Sequence, residues 1–173
     1  MGVNVEMRGL ERMLTSGVGD SIARETVAKL VARGLQIAKT YAQITSPELG
    51  ASIHADPITT QDDITTGGFG TSLDFGPYVE FGTGRPGQEG LVKNGQERNP
   101  KADRFTYTLQ TTIRSGPNQG KLRPGWVYHS ETHGFVHTLG QPASPFMYPA
   151  QLQLENDAAE IAGAAVRDNI RKA

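Results

Sequence analysis

The chain has 173 residues, 36% hydrophobic and 20% charged, a length that suits one domain with enough apolar material for a core. Lys and Arg number 17 against 18 Asp and Glu, a formal net charge of −1, which argues against general affinity for nucleic acid or membrane surfaces. There is no cysteine, which excludes disulfide scaffolds, thiolate metal sites and cysteine nucleophiles.

A chain with no thiol to oxidise suits a reducing cytoplasm. No window approaches the ~18 apolar residues of a membrane span, and the first residues lack the apolar stretch of a signal peptide. A soluble protein made in the cytoplasm is expected, with no membrane partner. The 21 glycines and 10 prolines call for long irregular loops.

Val3, Val5 and Met7 alternate with polar neighbours and predict a short edge strand. From Asp20 to about Ala42 the spacing of Val27, Leu30, Val31, Gly34, Ala38 and Tyr41 predicts an amphipathic helix, with Asp20 or Ser21 as its N-cap. Gly34 lies on the apolar stripe, where glycine costs about 1 kcal/mol against alanine, so close approach of another element is expected there. Ser46-Pro47 ends the helix. Residues 49–55 alternate as a strand, 61–70 read as a glycine-rich connection, and 72–81 return to strand character with a kink at Gly76-Pro77.

Residues 84–104 hold few aliphatics and read as a long exposed loop. Residues 105–114 form the cleanest period-two run in the chain, and 115–125 a second exposed loop. Residues 126–129 and 135–138 suggest a hairpin. A second helix is expected from Pro149 to about Lys172, with Arg171 and Lys172 placed favourably for its dipole. Helix, several antiparallel strands, helix: the fold class is α+β, an antiparallel sheet packed by an N-terminal and a C-terminal helix.

Three chemical readings need weighing. Gly82-Thr83-Gly84-Arg85-Pro86-Gly87 fits G-x-G-x-x-G, yet no helical periodicity and no βαβ unit follow, so dinucleotide binding is set aside. His129, His133 and His137 recur every fourth residue. A hairpin turning at 131–134 pairs His129 with Val136 and His137 with Tyr128, which sends the two imidazoles to opposite faces and argues against a metal site. No arrangement of nucleophile, base and oxyanion donors is visible. Neither catalysis nor a cofactor is expected.

Two stretches carry a resemblance: Gly76-Pro77-Tyr78-Val79-Glu80-Phe81-Gly82-Thr83-Gly84, and Gly140 to Ala150 with Pro142, Pro145, Phe146, Tyr148 and Pro149 leading into the last helix. Together with residues 46–53, Gly125-Trp126-Val127-Tyr128 and the Phe135 to Thr138 segment, they resemble the tail-completion and head–tail joining (neck) proteins of tailed bacteriophages, in the branch found with Gram-positive hosts. The likeness runs in order from about residue 20 to the end. It departs at Gly50 and Ala51, where the family often carries a basic residue.

The resemblance implies a structural virion protein, assembled in the host cytoplasm, that completes the tail and joins it to the head. Its partners would be copies of itself in a hexameric ring, the tail tube or terminator, and the connector or stopper proteins of the head. DNA would pass without specific binding, and near-neutral charge suits such a channel. The alternative from another class is a nucleic-acid-binding module. It would use Arg85, Lys93, Arg98, Lys101, Arg104, Arg114, Lys121 and Arg123, which concentrate in the two loops among acidic neighbours.

Overall fold

The computed structural model describes residues 1–8, 18–62, 64–83, 97, 99–104, 110–130 and 134–172. Its contacts divide the chain into two units, residues 1–76 with 146–173, and residues 77–145.

The first unit is organised around a strand rich in glycine. Strand β1 (Gly2–Arg8) runs antiparallel to β4 (Ile64–Gly70), whose other edge pairs with the short strands β2 (His54–Ala55) and β3 (Thr59–Gln61). Residues 61–70 are therefore not a connection, as composition suggested. They supply the central strand of the sheet. A Cβ on Gly67 would stand 2.8 Å from Val27 Cγ1 and 3.1 Å from Val31 Cγ2, so this glycine lets a helix lie directly on the strand. Glycine within a strand often marks such close backbone approach. Asp62, in the turn from β3 to β4, holds a positive φ of 49°, a conformation that Asp tolerates better than most side chains.

The helix on the sheet is α1 (Val18–Thr45), longer at both ends than its periodicity alone marks out. Ile22, Val27, Leu30, Val31, Ile37, Ala38 and Ala42 are buried along it at helical spacing. Gly34 fulfils its expectation. A Cβ there would collide with the Phe69 ring and stand 2.7 Å from Leu154 Cδ1, so the missing side chain admits both neighbours. Phe69 is fully buried as a result.

Antiparallel to α1 runs α4 (Met147–Lys172), joined to it by Lys29 with Asp168 at 3.0 Å, Arg33 with Asp157 at 3.2 Å, and Asn169 donating to Glu25 at 2.7 Å. These polar contacts run beside the buried apolar stripe of α1, from Glu25 to Arg33.

Residues 49–55 are not one strand. Ser46-Pro47 ends α1 and at once starts a short helix, α2 (Pro47–Ser52). Ser46 is its N-cap, accepting from the Leu49 amide at 3.2 Å, with Pro47 in the first turn, where its absent N–H is not missed. Leu49 and Ile53 are buried, and the strand that follows is reduced to two residues.

In the second unit, residues 77–81 belong to a helix, α3 (Gly76–Phe81), rather than to the expected strand. Tyr, Val and Phe favour strands, but Pro77 near the start and Gly82 just past the end are helix punctuation. A 3-10 turn at Pro100–Arg104 follows, then two antiparallel ribbons: β5 (Gln110–Thr112) with β6 (Leu122–Pro124), and β7 (Trp126–Ser130) with β8 (Gly134–Thr138). Of the run expected over 105–114, residues 105–109 lie outside the described residues. So do 84–96 and 98 of the long loop. The second loop is a turn over residues 115–120 that leads into β6.

Candidate interaction site

The two stretches that carry the resemblance meet in the second unit. Ser144 N donates to the Val79 carbonyl at 2.8 Å, and Thr83 N donates to the Gln141 carbonyl at 3.0 Å. The Gln141 amide donates back to Thr83 Oγ1 at 3.2 Å. Residues 141–144 thus lie alongside the end of α3 and the turn beyond it. Thr83 and Ser144 are buried at this seam.

Gly82 makes the seam possible in two ways. Its φ of +73° terminates α3 in the left-handed conformation that glycine adopts without penalty. A side chain would also run into the opposing segment, since a Cβ would lie 2.6 Å from the Ala143 nitrogen.

Glu80 is the least expected member. The strand reading put it between buried neighbours, yet it is fully buried while Tyr78 is 41% exposed and Phe81 is half-buried. A helix places these residues differently from a pleat. Asn99, itself buried, donates to Glu80 Oε1 at 2.9 Å, and Asn99 Oδ1 accepts from the Lys101 amide at 3.0 Å at the start of the 3-10 turn. One amide side chain therefore ties α3 to the turn. Such charge-assisted bonds offset the cost of removing a carboxylate from water. Thr83 and Asn99 bracket residues 84–98, so both ends of that segment are fastened to the same small scaffold.

The remaining motif residues divide between the units. Pro145 is buried and Pro142 half-buried in the second. Phe146 and Pro149 are buried and Tyr148 half-buried in the first, where they open α4.

The hairpin register corrects the argument made from the histidines. His129 stands opposite Phe135, and His137 opposite Val127, so positions 127, 129, 135 and 137 share one face of the ribbon. The register is shifted by one residue from the expected pairing, and a one-residue shift exchanges faces. Opposite faces are therefore no reason to separate His129 from His137. Position 133 lies outside the described residues. Phe135 is 81% exposed on that face, and Leu122 on β6 is 63% exposed.

Of the basic residues, Lys101, Arg114 and Lys121 are exposed. Arg123 is half-buried, and its Nε is buried without a hydrogen-bond partner among the described residues. Arg85, Lys93 and Arg98 lie outside those residues. Sequence reasoning missed Asn99 altogether, although Asn99-Pro100 is a recognisable start for a turn.

No family model, no curated protein and no solved structure matches the chain.

Proposed function

We propose that this chain is a structural protein of the phage neck, working in several copies at the junction of tail and head, by recognition rather than catalysis. Support comes from the seam between residues 79–83 and 141–144, where the two quoted stretches form one scaffold. That scaffold fastens both ends of residues 84–98 and leaves their length and composition free to serve a partner. Exposed Phe135 and Leu122 on neighbouring ribbons of the same unit add apolar surface that an assembly could cover. The partners in this reading are further copies of the chain in a ring, the tail tube or terminator, and the head connector.

The test replaces residues 84–98 with a short glycine–serine link. Loop-closure entropy changes slowly with length, so the purified protein should keep its circular dichroism and its melting temperature. A phage carrying the same deletion should release filled heads and separate tails. Infectious particles at normal titre would sink the proposal. Salt-sensitive DNA binding lost on changing Lys101, Arg114 and Lys121 to alanine would favour the nucleic-acid reading instead.

A further inference from the structure

On the face of the first unit's sheet that α1 does not cover lies a groove of about 340 Å³, lined in part by Asn4, His54 and Asp56. Its form follows from the pairing. Asn4 on β1 stands opposite Gly68 on β4, and the Asp56 amide donates to the Gly68 carbonyl at 2.8 Å from the other edge. Gly68 has no side chain to fill the space between them. The point where its Cβ would stand is 2.8 Å from Asn4 Oδ1 and 2.9 Å from Asp56 Oδ2. Two oxygens from opposite edges of the sheet thus converge above one glycine.

His54 completes the set. Its Nδ1 lies 3.0 Å from the Ser52 carbonyl, and a carbonyl can only accept, so Nδ1 carries the hydrogen. In the neutral ring the lone pair is then on Nε2, which faces Asp56 Oδ1 at 4.0 Å. A histidine held from behind by a carbonyl, with its other nitrogen turned toward a carboxylate, is arranged as metal-bound histidines are. Among the described residues no three His, Cys, Asp or Glu side chains cluster. The set here reaches three donors through the Asn4 amide oxygen.

We propose that this groove binds one divalent first-row transition-metal cation through His54 Nε2, the Asp56 carboxylate and Asn4 Oδ1, with water completing its shell. One imidazole nitrogen with two oxygen donors suits Mn²⁺ or Zn²⁺. With bonds of about 2.0–2.2 Å, a 4.0 Å gap between Nε2 and Oδ1 is near the widest that one ion bridges. Both side chains are about half exposed, at 56% and 54%. A tetrahedral or cis-octahedral bite at that bond length sets the two atoms about 3.0–3.4 Å apart, so the carboxylate closes toward the ring by roughly 0.6–1 Å on binding. The ion would link β1 to the β2 edge across β4, a staple within the sheet and separate from the neck role proposed above.

Mn²⁺ alone is the probe, added to the full chain and followed by the loss of its free-ion electron paramagnetic resonance signal. One saturable site per chain is expected, with nitrogen coupling in the pulsed spectrum of the bound ion. His54→Ala and Asp56→Asn should each weaken binding by about tenfold or more, and His137→Ala should leave it unchanged. Absence of saturable binding, or a bound ion without nitrogen coupling in the unaltered protein, overturns the proposal. So does loss of the site on His137→Ala with retention on His54→Ala, which would move it to the β7–β8 hairpin. The spectrum of the unaltered chain decides even where a variant fails to fold.

Discussion

Among the described residues, the two units bury different kinds of side chain. In the first, described buried side chains are mainly aliphatic or aromatic: Ile22, Val27, Leu30, Leu49, Ile53, Phe69, Phe146 and Leu154 among them. In the second, Val79, Ala102, Ala143 and Pro145 are the buried apolar side chains among those described, and buried Glu80, Thr83, Asn99 and Ser144 belong to the same unit. Among the described residues, the first unit buries mostly apolar side chains, and the second buries several polar ones that find particular hydrogen-bond partners. Apolar packing tolerates exchange among side chains of similar volume, whereas a buried carboxylate tolerates few replacements. The second unit is the better place to fix a segment's geometry, and the first the better place to store stability.

The largest expected effect falls in the first unit. Phe69→Ala removes the ring that fills the space above Gly34 and should cost about 3–5 kcal/mol, read as a lower denaturant midpoint. Glu80→Ala should cost less, about 1–3 kcal/mol, because it leaves Asn99 Nδ2 without its acceptor. Glu80→Gln keeps an oxygen in place and should recover a measurable part of that loss. Equal midpoints for Phe69→Ala and Glu80→Ala would erase the contrast between the units.

The smallest effect concerns the α1–α4 surface. Hydrogen bonds from Lys29 and Asn169 hold the Glu25 carboxyl below its ordinary pKa, and Lys29 does the same for Asp168, while Glu25 and Asp168 hold Lys29 above its own. Depressed carboxylates stabilise the fold above their unfolded pKa, and that contribution is lost as pH falls through the lower folded value. For Lys29 the sign reverses, and its contribution is complete below its unfolded pKa of about 10.5 and lost above it. A plateau near neutral pH is expected, with losses at both extremes. All three groups are at the surface, so the effect is small and weakened by salt. Lys29→Met should lower the melting temperature slightly at pH 7 and not at pH 2. An equal shift at both would assign the loss to packing.

Long periodic elements were legible in the sequence. The 3.6-residue spacing of α1 and α4, the alternation of β1 and the special place of Gly34 are all visible without coordinates. The errors have separate physical causes. Residues 64–70 lack the apolar alternation of a strand because three of the seven are glycine: Gly67 on the α1 face, where Val27 and Val31 take the space, and Gly68 and Gly70 on the other. Residues 76–81 carry strand-forming side chains in a helix whose signal is its punctuation, Pro77 and Gly82. At the site, the quoted stretches were visible but their contact was not, since nothing local to either records the seam. Glu80 and Asn99 lie far enough apart that only tertiary structure makes them partners. His54 was passed over because its companions, Asn4 and Asp56, reach it from separate strands.

Gly34 has a consequence for descent as well as for packing. The space it leaves is shared by Phe69 and Leu154, on a strand and a helix distant in the chain. A volume added at position 34 has to be taken away at 69 or 154, so drift at these positions is coupled. Across diverged copies of this fold, a bulkier residue at 34 should accompany a smaller one at 69 or 154. That reciprocity of size would mark relatives even where the short motifs have worn away.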